Sequence, residues 1–244
     1  MKLVVFDLDG TLARTSAVDA ECYARALVDT LGIQGVETDW NRYEHVTDEG
    51  ILAQLFMEHF GRVPVARERE RILDRFVDLL ADRWAANPTE FAEVPGAGSM
   101  VAHLLDEAVW TVALATGGWR RSAEFKIRQA GLPAAGLPSA FAEDGPSREA
   151  IVRAAIERAR REYRQPKFER VVSVGDSPWD VRTARNLEVP FLGVAVEPDA
   201  SALRANGASH VIEDYRDTAQ CLRSLNEARR PRASARVGRP GDDP

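Results

Sequence analysis

Two aspartates, Asp7 and Asp9, stand at the end of an apolar run from Leu3 to Phe6 and are followed by Gly10 and Thr11. On a strand, positions i and i+2 face the same side. Two carboxylates therefore leave the strand together and form a hard-oxygen site suited to Mg²⁺. One of them can also attack phosphorus and carry it covalently. A second stretch repeats the design: the run from Val171 to Val174 ends in Gly175-Asp176, and Asp180 follows four residues later. In parallel α/β sheets, functional groups gather at the carboxyl ends of strands. Asp7, Asp9, Asp176 and Asp180 are expected at one such edge, where they would repel one another unless a cation joined them. Taken singly, Asp176 reads as a helix cap and Asp9-Gly10 as a turn. The combination is what points to chemistry.

Two further positions complete a phosphate site. Thr116 ends the apolar run Trp110 to Ala115 and precedes Gly117-Gly118. A hydroxyl and bare glycine N–H groups at a strand end can hold phosphate oxygens, and a helix opening near Trp119 or Arg120 would aim its N-terminal dipole the same way. Arg148, just inside a helix read as starting at Pro146, is the candidate fixed cation that would balance a transferring phosphoryl group.

These residues need strands that end at one edge and helices that return the chain. Between residues 16 and 92 only helical patterns occur: Ala17 to Leu31, Asp48 to Phe60 with Thr47 or Asp48 as cap, and Val65 to Ala86 with a stripe from Ile72 to Trp84. That block reads as an all-helical insert. From Ala97 onward, strands at 110–116, 139–142, 170–174, 189–196 and 210–212 alternate with helices at 97–106, 120–130, 146–163, 178–187, 200–206 and 215–228. Such alternation predicts an α/β fold with a parallel sheet flanked by helices on both faces. Residues 229–244 are rich in Arg, Pro, Gly and Ser without apolar period and read as a disordered, solvated tail.

The chain's 244 residues allow one large domain, or a core with an insert. A net charge of -6 gives no broad attraction to nucleic acid or to an anionic membrane surface. Cys22 and Cys221 are far apart and belong to no metal or disulfide pattern. No export signal or membrane-length apolar run is evident, so the cytoplasm is the expected location.

Asp7-x-Asp9-Gly10-Thr11, the strand-ending Thr116, a cation at 148 and Gly175-Asp176-x-x-x-Asp180 come in the order found in the haloacid dehalogenase superfamily. The chain resembles its phosphoglycolate-phosphatase-like and β-phosphoglucomutase-like branch over about residues 1–227. The resemblance implies a Rossmann-like core, residues 1–13 and 93–228, with a helical cap at 14–92 inserted after the first strand. It implies Asp7 as the nucleophile that becomes an aspartyl-phosphate and Asp9 as general acid and base. Thr116, with Gly117 and Gly118, would bind phosphate. Mg²⁺ would be held by Asp7, Asp176 and the Asp9 backbone carbonyl, with Asp180 supporting that shell. The family usually has Lys where this chain has Arg148; Lys126 and Lys167 are the poorer alternatives.

The expected activity is hydrolysis of a small phosphorylated metabolite such as a sugar phosphate or phosphoglycolate. Dehalogenation fits less well, because Asp9 and Gly175-Asp176 have no use in it. Phosphonate cleavage in this family needs a cap lysine, and none occurs between Arg14 and Phe91. A phosphomutase shares all four motifs, and a non-catalytic binding protein could use the same scaffold. Arg14, Arg42, His45, Thr47 and Trp119 are candidate contacts to the part of the substrate beyond phosphate.

Overall fold

The computed structural model describes residues 1–33 and 35–232. Its frame is a six-stranded sheet of β1 (Lys2–Phe6), β2 (Trp110–Ala115), β3 (Ser139–Ala140), β4 (Arg170–Gly175), β5 (Phe191–Val194) and β6 (His210–Ile212). All neighbours are parallel, in the order β3-β2-β1-β4-β5-β6. β1 lies at the centre: Phe6 is in register with Leu114 of β2 on one side and Val174 of β4 on the other. The chain fills one flank through β3 and then crosses to β4. The crevice at this change of direction lies beyond the carboxyl ends of β1 and β4, where such sheets bind ligands.

Burial on both faces explains the unbroken apolar character of the strands. Val4, Phe6, Val112, Leu114, Val172 and Val174 face α4 (Ala97–Asp106), α5 (Arg120–Gln129) and α9 (Thr218–Glu227). Leu3, Val5, Ala113 and Ala115 face α6 (Arg148–Glu162). α7 (Pro178–Asn186) and α8 (Asp199–Ala205) cover β5 through Val181, Ala184 and Leu203 around Phe191.

Between β1 and β2 the described residues contain helices and no strand: α1 (Ser16–Leu31), α2 (Asp48–Phe60) and α3 (Ala66–Ala86), with short 3₁₀ turns at Trp40–Arg42 and Pro88–Phe91. Their apolar faces form a separate core around Tyr23, Leu27, Phe56, Phe76 and Leu80. Trp119 and Phe125, from the start and the middle of α5, enter that core. Trp84 continues the α3 spacing but lies past the packed stretch and is partly exposed.

Most element limits shift by a few residues from the sequence reading, and three of the differences have a clear cause or consequence. α6 starts at Arg148 because the Ser147 hydroxyl accepts the Ala150 N–H, which leaves Pro146 outside the helix. Ser177, not Asp176, is the N-cap of α7. Residues 229–232 belong to the fold: the Phe191 N–H donates to the Arg229 carbonyl, the Arg232 N–H donates to the Gly207 carbonyl, and Pro231 is buried. The rest of the expected tail, with Arg236 and Arg239, lies outside the described residues. Both cysteines are buried free thiols. Among the described residues no helix is long and apolar enough to cross a membrane.

Candidate active site

The first-strand motif reaches the crevice because β1 ends at Phe6, and the Asp7 N–H still donates to Val174 O of β4. Asp7 is buried, and oxygens of Asp7, Asp176 and Asp180 lie within 4.8 Å of one another. Arg148, the first residue of α6, donates from Nη2 to Asp7 Oδ1 at 2.9 Å and to Asp180 Oδ1 at 2.8 Å. The Ser177 N–H donates to the other oxygen of Asp180 at 3.2 Å. The Thr11 hydroxyl lies 3.4 Å from Asp176 Oδ1. The glycine after Asp9 is required twice: its φ is +76°, and a Cβ there would fall 2.1 Å from Asp176 Oδ2.

The Asp9 carboxylate turns toward other partners. It accepts from the Thr15 hydroxyl at 2.5 Å and from Lys126 Nζ at 2.7 Å. Lys126 is fully buried and also donates to Asp19 of α1. Both cations thus stand at the site, Arg148 on Asp7 and Lys126 on Asp9. Lys167 is exposed just before β4, at the opposite end of that strand.

A cavity of about 120 Å³ opens beside these groups. Thr116, Gly117 and Gly118 line its sheet side, and Asp19, Thr47 and Asp48 its helical side. Not all the expected phosphate donors are free. The Gly118 N–H donates to the Thr116 hydroxyl. At the start of α5 the Trp119 N–H donates to Asp48 Oδ2 at 2.8 Å, and the Arg120 N–H to Glu143. The anions at this helix N-terminus are therefore the protein's own carboxylates, which satisfy the unpaired N–H groups and the dipole. The N–H of Gly117 makes no hydrogen bond within the described residues. Its missing side chain leaves room for Arg148, since a Cβ would lie 2.4 Å from Arg148 Nη1.

Charge is out of balance here. Burial drives the Asp7 carboxyl well above the usual carboxylate range; Arg148 opposes this, while Asp180, Asp176 and Asp9 add to it. Enclosure and the neighbouring Asp180 lift Asp176 to about 8. Burial, opposed by Lys126, lifts Asp19 to about 6, and burial and Asp19 carry Asp48 well up. Burial disfavours the charge on Arg148, but Asp180 and Asp7 outweigh it; Asp19 and Asp9 do the same for Lys126. Converging carboxyl oxygens that outnumber the nearby cations, and hold protons for want of one, are the donor chemistry of a Mg²⁺ site. Asp7, Asp176 and Asp180 fit that ion.

Residues 1–188 match the family model of the haloacid dehalogenase-like hydrolases. The chain belongs to that family of enzymes. Among solved structures it is similar to a hydrolase from Pseudomonas syringae, at 19% identity and TM-score 0.68, over 92% of this chain and 99% of that one. It is also similar to CbbY from Rhodobacter sphaeroides in complex with phosphate (22% identity, TM-score 0.62, 88% and 95% covered). A putative β-phosphoglucomutase from Bacteroides vulgatus aligns at 15% identity and TM-score 0.64, over 93% and 89%. At these identities the likeness is one of fold. No curated protein sequence is similar enough to this chain to count as a match.

In this haloacid dehalogenase-like chain the site also contains residues that motif reading passes over. Asp19, Asp48, Tyr23 and Trp40 line the cavity from the helical segment, whereas Lys126, the poorer alternative cation of the sequence reading, joins two of the site's carboxylates. One available signal was composition: the chain has only three lysines, and Lys126 lies among Ala123, Phe125 and Ile127. Of the candidate substrate contacts, Thr47 lines the cavity. Arg42 is exposed and paired with Glu37 and Asp39 on the outer surface, and Arg14 is exposed. Trp119 is spent on the helical core, with its indole N–H on Glu49.

Proposed function

We propose that the chain is a Mg²⁺-dependent phosphatase of a small phosphorylated metabolite, such as a sugar phosphate, acting through an aspartyl-phosphate on Asp7. The observation that carries this reading is the meeting of Asp7, Asp176 and Asp180 beside Arg148, beyond the carboxyl ends of adjacent strands, with Asp7, Asp176 and Arg148 lining one cavity. Asp7 attacks phosphorus and the ester oxygen leaves. Asp9, held beside it by Thr15 and Lys126, protonates that oxygen and then takes a proton from the water that cleaves the acyl phosphate. Thr116, the Gly117 N–H and Arg148 hold the phosphoryl oxygens. Arg148 also keeps Asp7 oriented through the bond to Oδ1.

Mg²⁺ would be held by Asp7, Asp176 and the Asp9 backbone carbonyl, with Asp180 supporting them, and when bound it offsets negative charge on the phosphoryl group. In this reading residues 14–92 act as a cap over residues 1–13 and 93–228, and closure excludes water during transfer. Hydrolysis of p-nitrophenyl phosphate tests the proposal. Activity should require Mg²⁺, and Asp7→Asn should lower kcat by about a thousandfold or more while leaving the circular dichroism spectrum unchanged. A wild-type protein inactive on every phosphomonoester offered, with several divalent metals, would refute it.

A further inference from the structure

The cavity has a far wall that phosphate chemistry does not explain. Across from the sheet edge, α1 and the start of α2 contribute Asp19 and Asp48, and among the described residues no cation from the helical segment lines the cavity. Asp48 is 7% exposed. Its Oδ2 is taken by the Trp119 N–H, but Oδ1 accepts no hydrogen bond from any described group. That oxygen is not fully enclosed, and Asp48 lines the open cavity. Beside it stand two aromatic rings, Tyr23 and Trp40, edge to face with centroids 6.1 Å apart.

The charges point the same way. Six carboxylates surround the cavity or bind its cations (Asp7, Asp9, Asp19, Asp48, Asp176 and Asp180), against Arg148 and Lys126 alone. A divalent ion at the sheet edge removes part of that excess, and a phosphate dianion restores it. A second anion on the substrate would meet only carboxylates on the far wall. A carboxylate with an aromatic face beside it is instead the pairing that recognises an ammonium group.

We propose that the group esterified to phosphate carries a protonated amine, seated against Asp48 and Asp19 with Trp40 and Tyr23 along its side, so that the substrate is an amino-alkyl phosphomonoester. This rests on the phosphatase reading of the same site. Asp48 is then the residue that selects the substrate, and Trp40 supports it.

The test compares kcat/KM for O-phosphoethanolamine, glycerol 1-phosphate and phosphoglycolate, which differ in the charge of the leaving group, with p-nitrophenyl phosphate as reference. Phosphoethanolamine should exceed glycerol phosphate by about tenfold, the factor given by one partly buried ion pair, and phosphoglycolate should be poorest. Asp48→Asn, whose amide oxygen can still accept from Trp119, should bring the phosphoethanolamine to glycerol phosphate ratio to within about threefold. A ratio within one variant cancels any general loss of rate. Trp40→Leu should lower the ratio, and Trp40→Phe should restore most of it. Hydrolysis of p-nitrophenyl phosphate with glycerol phosphate or phosphoglycolate equal to or above phosphoethanolamine would overturn this inference alone. No hydrolysis of any of the four would overturn the phosphatase reading and this inference with it.

Discussion

At the sheet edge, Asp7 and Asp180 share one guanidinium from α6, which packs on the same β-sheet. Across the cavity, Asp19 and Asp48 are balanced from elsewhere. Asp19 relies on Lys126 of α5, and Asp48 on the backbone N–H that precedes α5. The sheet-edge half thus carries its own counter-charge, whereas the helical half borrows both of its partners from across the boundary. Two apolar side chains from the same stretch, Trp119 and Phe125, enter the helical core. The segment Trp119 to Gln129 is therefore the joint of the molecule, since it lends its buried cation to Asp19 and its leading N–H to Asp48.

The largest effect should come from removing the borrowed cation. Lys126→Met replaces a fully buried ammonium with an apolar side chain of similar length and leaves Asp9 and Asp19 without their partner. Breaking a buried ion pair from one side costs about 3–5 kcal/mol, which urea unfolding would register. Adding Asp19→Asn should recover part of that loss, because one of the two stranded charges is gone. A cost below about 1 kcal/mol for Lys126→Met would mean that the helical half does not lean on α5, and the contrast between the two halves would fail.

Why the two halves differed in legibility follows from the same contrast. Asp7, Asp9 and Asp176 follow strands whose apolar runs mark them in the sequence, and Asp180 lies in the first turn of the helix after β4, so topology brings them together once the sheet is parallel. Arg148 follows from the same logic as the first residue of a helix that returns to the sheet. Lys126 and Asp19 carry no such mark: Asp19 lies in the first turn of α1 and Lys126 in the last turn of α5, 107 residues apart, and only the tertiary fold makes them neighbours. The N–H groups at the start of α5 looked available for phosphate because their occupants, Asp48 and Glu143, come from distant segments. Helix and strand limits were legible to within a few residues. The cap of α6 moved because the Ser147 hydroxyl, one residue past Pro146, makes the capping bond.

A smaller effect sharpens the sheet-edge side. Asp176 is lifted from 3.8 to about 8 by enclosure and by Asp180, and burial with the same neighbours lifts Asp7. For an acid whose folded value lies above its unfolded one, the native chain keeps a proton that the unfolded chain has released. That contribution favours folding at low pH and fades as pH rises from about 4 to about 8. Above that window the carboxylates are ionised and repel, so a divalent ion has most to offer there; at pH 6 it must first displace protons. The rise in Tm produced by a fixed Mg²⁺ concentration should therefore be larger at pH 8 than at pH 6, through binding to the native state alone. Differential scanning fluorimetry with and without Mg²⁺ reads it. Equal shifts at both pH values would show that these carboxylates do not hold the ion.

The smallest effect lies where the two halves merely touch. Thr47 caps α2, its hydroxyl accepting the Gly50 N–H at 2.9 Å, and it is buried at the cavity wall. The next residue ties α2 to the sheet side through the Asp48 N–H on Gly117 O. The cap itself is local, so its loss should not travel. Thr47→Ala should cost about 1 kcal/mol, read from the urea midpoint, and Thr47→Ser, which keeps the hydroxyl, should cost much less. If Thr47 served only the cap, kcat/KM on p-nitrophenyl phosphate would stay within about threefold in both variants. A tenfold loss in Thr47→Ala alone would instead mean that the first turn of α2 transmits its position to Gly117, and the boundary between the halves would be a coupled element rather than a contact.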